Sequence, residues 1–548
     1  MYEKLNLGLT KRSKRSKRLR LRKGLMTALI SKSLDPTTLK QAQHSEHATE
    51  WEAARATEDA SLWGRGTFKE LSDTEIQKLK REKVKILKSK YVFKKCIHAD
   101  GSLKKFKVRL CVRGDLQDPS TYTDVYAGTV QRKAVFLLLA IANHKDLEVA
   151  TADITSAFLY PELKEKLYLE LPDGRIVRLL RALYGLRQAA NAFLNHLKKK
   201  LENIGFKQMM SDTCTFRLDE GDAFIILATH VDDLLFISNS KSLISKIKDT
   251  LGTHFDLTFY EEAHEFLGIT ITRDRTNKLL RLSQIGYIEK ILGNFKLPNS
   301  ERISRTPYHL SAPKKEASTP LDTEKKQLYM QITGSLLYLA ISTRPDILSS
   351  VHHLTRAMQS PKEADILAAY RVLRYLLLTP DLCLTFNGNS KLEVIGYADS
   401  SFVKNERNQF GYCFQLGSSS GCFVSVVKRT TTSAQSSTEA EYYALCEGCR
   451  ELLWIRSFTR EIGFNDILVK TIKQDNKSCI SFSSQLGMSD RMKHVELNYL
   501  FVKTLVHERN VNIEYLKTKD MLADIFTKVM PADSFEYLRD LILGIPKA

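Results

Sequence analysis

Two adjacent carboxylates, Asp232 and Asp233, interrupt the apolar stretch ILATHVDDLLFIS at residues 226–238. Charge set among strand-forming residues is costly unless it is paired or holds a cation. A third carboxylate, Asp153, lies in LEVATADITSAFLY (147–160), whose alternation puts Leu147, Val149, Thr151 and Asp153 on one strand face. Three carboxylates converging on one sheet edge repel one another unless divalent metal sits between them. Mg²⁺ suits such a set, because it takes oxygen ligands from one or two carboxylates and completes its shell with water and phosphates. Two such ions are the device for in-line displacement at phosphorus, as in a polymerase or nuclease. Taken alone, the Asp-Asp pair also reads as an ordinary exposed hairpin turn.

A second set lies further along the chain. Asp399 ends the predicted strand in YADSSF, Asp475 falls between a strand and a helix in KQDNKSC, and Asp524 lies in a C-terminal helix, LADIFTK. Glu441 belongs to the helix SSTEAEYYALCEGCRELLWIRSF, where Thr438 and Glu441 have capping-box spacing. Glu441 also shares a face with Leu445, Gly448, Leu452 and Ile455. Its carboxylate therefore points the way the apolar stripe points, toward a sheet, which makes sense with a metal.

The elements that must position these groups are partly visible. The run from residue 84 to 114 alternates apolar and basic residues about an ADG turn, which predicts a basic hairpin. KAVFLLLAIANHK (133–145) predicts a buried helix. Ala190, Phe193, Leu197, Leu201 and Ile204 have helical spacing, with Gly205 as the stop. Residues 35–85 are polar and helical in pattern without an obvious core. A polar stretch at 298–323 marks a boundary, helices follow to about residue 380, and a new α/β pattern begins at 391.

At 548 residues the chain is too long for one core, and roughly three or four domains are expected. Lys and Arg number 83 against 63 Asp and Glu, a formal charge of +20 that favours polyanionic partners, nucleic acid first. Residues 11–23, KRSKRSKRLRLRK, read equally as a solvated tail and as a targeting or nucleic-acid-binding arm. No run reaches the roughly 18 apolar residues of a membrane span. The absence of a secretory pattern and nine scattered cysteines lead us to expect an intracellular, reduced protein. Cys446 and Cys449 form an isolated CxxC, for which packing is the expected role.

Several phrases together resemble one family. HVDD with its apolar flanks resembles the YxDD hairpin of reverse transcriptases, and ADITSAFLYPELKEKLYLELPDG resembles their first catalytic strand. LYGLRQAANAF, KVRLCVRG, FLGITI and TRPDI, then ADS, SSTEAEY, DN, RMKHVEL and LADIFTK, resemble copia/Ty-type retrotransposon Pol proteins in order, over about residues 86–530. The resemblance implies an α+β and α/β multidomain chain: a right-hand polymerase of fingers, palm and thumb, followed by a ribonuclease H-like α/β domain. The expected parts are a basic, partly disordered extension at 1–50, a helical lead-in at 51–85, fingers and palm at 86–260, thumb and connection at 261–388, and the ribonuclease H-like domain at 389–548.

The same resemblance makes Asp153, Asp232 and Asp233 the polymerase metal ligands, and Asp399, Glu441, Asp475 and Asp524 those of the nuclease. Each site would use two Mg²⁺ ions, with Mn²⁺ an alternative. Lys107 and Arg109 would lie over the phosphates of the incoming nucleotide, Gln188 near the nucleotide, and Phe158 under its sugar. Without the family, Lys107 and Arg109 read as a solvated basic strand and Phe158 as a core aromatic. His230 stands where the family has Tyr, and His494 is a family marker of underived role.

The implied function is RNA- and DNA-directed DNA synthesis with ribonuclease H activity. Its partners would be an RNA template, a DNA primer, an RNA–DNA hybrid and deoxynucleoside triphosphates, without a membrane, in a cytoplasmic virus-like particle or the nucleus. The competing expectation is a catalytically silent nucleic-acid-binding remnant. Protease (DTG or DSG), HHCC and CCHC signatures are absent, which leads us to expect the C-terminal part of such a Pol.

Overall fold

A computed structural model describes residues 35–97, 103–298, 304–308, 318–484 and 496–546. The basic run 11–23, the ADG turn, most of 298–323 and His494 lie outside the described residues. The chain divides into two compact units. One comprises Ser33–Gln131 and Glu148–Ala263; the other includes Arg132–Leu147 and His264–Ala548.

In the first unit, a six-stranded antiparallel sheet runs in the order Leu257–Tyr260, Glu148–Ile154, Asp233–Ser238, Ala223–His230, Thr215–Glu220, Lys207–Gln208. Ala150, Ala152, Ile154, Leu227, Leu234 and Phe236 pack against Phe193, Leu197 and Leu201 of the helix Ala189–Ile204 and against Ile244, Ile247 and Leu251 of the helix Lys241–Gly252. Because side chains alternate, burying that set turns Asp153 and Asp233 to the other face. Gly205, at φ +109°, ends the first of these helices where the spacing predicts.

A second sheet in this unit has the order Phe68–Glu70, Ile176–Arg181, Glu162–Glu170, Ile86–Ile97, Leu103–Val112, and the last two strands are the expected basic hairpin. Residues 35–85 do have a core, contrary to the expectation. Trp51, from the helix Ala48–Gly64, lies edge-on to Phe93 and Phe106 of the hairpin at centroid distances of 5.5 and 4.6 Å. Leu62 joins Leu110 and Val112 in a neighbouring cluster. Ala42, Trp51 and Leu62 are too sparse to make a periodic stripe, so the partner that covers them is invisible locally.

The second unit contains a four-stranded sheet (Glu265–Phe266, Ile269–Asp274, Leu279–Ser283, Leu384–Asn387) and a five-stranded one. The latter runs Cys422–Ser433, Arg407–Leu416, Glu393–Ser400, Leu468–Gln474, Asn512–Tyr515, with the first two pairings antiparallel and the last two parallel. The helix Ser437–Glu461 packs on it with Leu445, Leu452 and Ile455 fully buried. No helix among the described residues is long and apolar enough to cross a membrane. Cys446 and Cys449 are buried.

Packing crosses two of the expected boundaries. The helix Arg132–His144, expected within 86–260, packs in the second unit: Lys133 pairs with Glu451 at 2.6 Å, and Asn143 Nδ2 donates to the carbonyls of Lys278 (2.7 Å) and Phe386 (3.1 Å). Its ten buried positions, Ala134 to Asn143, cover every side, so nothing in its pattern selects a partner. The 388/389 boundary crosses one continuous core, in which Tyr329, Leu336 and Leu373 pack with Cys413, Leu522 and Phe526.

That core holds a buried ion pair from TRPDI. Arg344 Nε and Nη2 donate to Asp346 at 2.9 and 2.7 Å, Arg344 Nη1 donates to the Thr379 carbonyl at 2.7 Å, and Tyr375 donates to Asp346 at 2.6 Å. Both charged side chains are fully buried. Arg344→Met leaves Asp346 buried and unpaired, and is expected to cost about 3–5 kcal/mol, read as a lowered urea midpoint. An unmoved midpoint would contradict a structural role for this pair.

Candidate functional site

The first carboxylate centre is built by strand register. Asp233 opens its strand directly opposite both Asp153 and His230, and Asp232 occupies the hairpin turn. The Ile154 amide donates to the Asp232 carbonyl at 2.9 Å, which ties the hairpin to the Asp153 strand. Two non-glycine residues here sit in the left-handed region, Val231 at φ +56° and Ser156 at φ +57°. For a β-branched residue this is a strained conformation, of the kind that collects at functional sites.

Burial, then the neighbouring Asp232, raises the Asp153 pKa, while Lys107, Arg109 and Lys105 pull it down. The structure thus brings Asp153, Asp232, Asp233, Lys107 and Arg109 into one electrostatic neighbourhood. Lys107 is lowered by burial and by the adjacent Arg109 and Lys105. Neither Lys107 nor Arg109 forms an ion pair among the described residues.

The Arg109 guanidinium instead lies 4.5 Å from the Tyr184 ring centroid, and Tyr184 stands edge-on to Phe158 at 5.2 Å. Phe158 is half-buried and also meets Phe193 edge-on at 6.4 Å. Sequence reasoning missed Tyr184; the signal was the glycine that follows it. Val112 N donates to the Tyr184 carbonyl at 2.7 Å. Gly185 has φ +92°, and a Cβ there would come within 2.2 Å of the Val112 carbonyl oxygen. Only glycine lets this turn press onto the basic strand. Gln188 is 6% exposed, and its Oε1 accepts from Gln117 Nε2 at 3.0 Å. Its side chain is engaged in loop packing, and no contact joins it to the carboxylates.

In the second centre, carboxylate oxygens of Asp399, Glu441 and Asp475 all lie within 4.8 Å of one another. Asp399 comes from the central strand of the five-stranded sheet, Glu441 from the first turns of the long helix, and Asp475 from the residue after the strand Leu468–Gln474. Asp524 opens a four-residue helix and is joined to Asp399 by Lys528, 2.7 Å from Asp524 and 3.0 Å from Asp399. Thr527 also donates its hydroxyl to Asp399.

Sequence reasoning missed Lys528, although its i,i+4 relation to Asp524 was legible. The Thr438–Glu441 capping box does not form, because Ser436 caps the helix through the Glu439 amide. Burial, then Asp399 and Asp475, pushes the Glu441 carboxyl up to about 9. Burial and Asp399 push Asp524 up to about 7. Crowded, buried, oxygen-only donors of this kind fit a hard divalent cation, which relieves their mutual repulsion.

Residues 75–308 match the family described as reverse transcriptase (RNA-dependent DNA polymerase), a span that holds Asp153, Asp232 and Asp233. Over 533 residues the chain is 31% identical to the retrovirus-related Pol polyprotein from transposon TNT 1-94 of Nicotiana tabacum, covering 94% of this chain and 39% of that one. It is 30% identical over 465 residues to the Pol polyprotein from transposon RE1 of Arabidopsis thaliana, covering 83% and 31%. The chain is similar to copia-type retrotransposon Pol polyproteins over most of its length. It spans about two fifths or less of the length of those relatives. A solved foamy viral protease-reverse transcriptase in complex with double-stranded DNA aligns at 12% identity and a TM-score of 0.45, over 89% of this chain and 73% of that one.

The raised carboxyls set a pH dependence. A carboxyl with a higher pKa folded than unfolded binds its proton more tightly when folded, so stability falls as pH rises through the interval between the two values. For Glu441 that interval runs from 4.5 to about 9. A divalent cation favours the ionised form, so stabilisation by Mg²⁺ should grow across the same interval. Thermal melts in EDTA and in Mg²⁺ from pH 5 to pH 9 are expected to diverge, and Glu441→Gln to bring the two curves together. Parallel curves in the unsubstituted chain would refute a metal-binding role for Glu441.

Proposed function

We propose that this chain is a DNA polymerase that copies RNA and DNA templates, with a ribonuclease H centre that cleaves the RNA of an RNA–DNA hybrid. The observation that carries the polymerase reading is the register of Asp153 opposite Asp233, with Asp232 at the turn and Lys107 and Arg109 in the same field. Two carboxylate strands facing a basic strand supply the complement of a nucleoside triphosphate: acids for its metal ions and cations for its phosphates.

Asp153, Asp232 and Asp233 would hold Mg²⁺, or Mn²⁺, two ions to the site. Bound there, the ions supply Lewis acidity at the attacking and leaving oxygens of an in-line displacement. Lys107 offers a mobile point charge to phosphate, whereas Arg109, held over the Tyr184 ring, offers a fork. Phe158 and Tyr184 form an aromatic pair, with Tyr184 in the field of Asp232, which suits a sugar gate. The first unit then corresponds to fingers and palm and the second to connection and ribonuclease H-like domain. An RNA template, a DNA primer and their hybrid are the partners, in a cytoplasmic particle or the nucleus.

In the second centre, Asp399, Glu441, Asp475 and Asp524 would hold the ions of a phosphodiester hydrolysis. The mixed sheet with Asp399 on its central strand and Glu441 on the covering helix supports this reading.

Primer extension on poly(rA)/oligo(dT) with Mg²⁺ and cleavage of a labelled hybrid test the two activities separately. Asp232→Asn is expected to abolish synthesis and spare cleavage, and Asp475→Asn the reverse, with losses of several kcal/mol in barrier. One substitution removing both activities from a folded chain would defeat the two-centre assignment. For the gate, Phe158→Val is expected to shift the ratio of kcat/KM for ribonucleotide over deoxyribonucleotide by about 1–3 kcal/mol. If Phe158 serves only the packing between Tyr184 and Phe193, activity falls and the ratio stays put.

A further inference from the structure

Lys528 divides the second centre into two unlike halves. Asp399 belongs to both. On one side its carboxylate lies with those of Glu441 and Asp475, neither of which forms an ion pair among the described residues. On the other side Asp399 and Asp524 share one protein cation, the Lys528 ammonium, at 3.0 and 2.7 Å. The Asp399 side chain is fully buried and that of Asp524 is 8% exposed, whereas Lys528 keeps 37% of its side chain in solvent. Two carboxylates so buried cannot sit together uncompensated. An ammonium on a four-carbon stem compensates them, and its exposure leaves it a way out.

We propose that Lys528 is a resident counter-cation that makes the two cation subsites of this centre unequal. A divalent cation enters between Asp399, Glu441 and Asp475 without displacing any protein charge. A second cation shared by Asp399 and Asp524 requires the Lys528 ammonium to withdraw first, and its affinity is lowered by that competition. Lys528 is thus a positioning residue: it keeps Asp524, on a helix of only four residues, docked on Asp399, and it sets the order in which the subsites fill. The inference rests on the reading of this centre as a metal-dependent nuclease.

The test uses the full chain with Asp232→Asn and Asp233→Asn, which silence the other centre, and Mn²⁺ as the probe. Bound Mn²⁺ is counted by electron paramagnetic resonance, and melting is followed with and without it. The background chain is expected to bind one ion tightly and a second weakly. Lys528→Met is expected to tighten the second site by about tenfold, as loss of one charge-assisted pair implies. The same variant should melt lower without Mn²⁺ and gain more from its addition. Lys528→Arg, which keeps the charge, is expected to restore the inequality, and it provides a folded comparison should Lys528→Met prove unstable. A second-site affinity unchanged in Lys528→Met, or equal sites in the background chain, would overturn the inference alone. A folded chain that binds no Mn²⁺ at either subsite would overturn the nuclease reading and the inference with it.

Discussion

Repulsion among buried carboxylates is the constraint around which both centres are arranged. Burial and the neighbouring Asp232 oppose ionisation of Asp153, and burial with Asp399 and Asp475 opposes that of Glu441. A fold tolerates such groupings only where rigid elements hold the groups in place and a cation is supplied. The two centres meet this requirement differently. In the first, the opposing charge comes from a neighbouring basic strand, with Lys107 and Arg109 near Asp153. In the second it comes from Lys528, in direct contact with two of the four acids.

The rigidity comes from different sources as well. Antiparallel register fixes Asp153 and Asp233 opposite one another, and the helices behind the sheet prevent a slip that would turn them to the wrong face. The second centre joins four elements distant in sequence, and its precision depends on the helix Ser437–Glu461 lying flat on the central strand. Gly448 faces Ala398 and Ile472 there, with room for a Cβ at ordinary van der Waals distance. Polar anchors complete the frame, among them the Arg344–Asp346–Tyr375 group in the core shared by the helices before Leu384 and the sheet after it.

The first centre also shows how an aromatic group can serve a cation. Arg109 would be free to sample many rotamers on an exposed strand, but the Tyr184 ring gives it a face to lie on, and Phe158 supports that ring from the side. Cation–aromatic contact of this kind holds the guanidinium in place and poorly hydrated, ready for phosphate.

Much of this was legible in the sequence alone. Alternation placed Asp153 on its strand face, helical spacing aimed Glu441 at a sheet, and Gly205 ended its helix, because each depends on local periodicity and short-range backbone geometry. The order of short phrases pointed to the polymerase family before any contact was known. What only tertiary structure decided were contacts across long stretches of chain. The helix Arg132–His144, buried on every side from Ala134 to Asn143, had no polar face to declare its unit, and Trp51 and Leu62 were too widely spaced to predict the hairpin that covers them. Gln188 turned inward to Gln117, seventy-one residues away. Tyr184 met Arg109, and Lys528 reached Asp399, only because packing brought distant strands and turns together. Local sequence sets what a side chain can do, whereas the partner that makes use of it is chosen by burial and close packing over the whole unit.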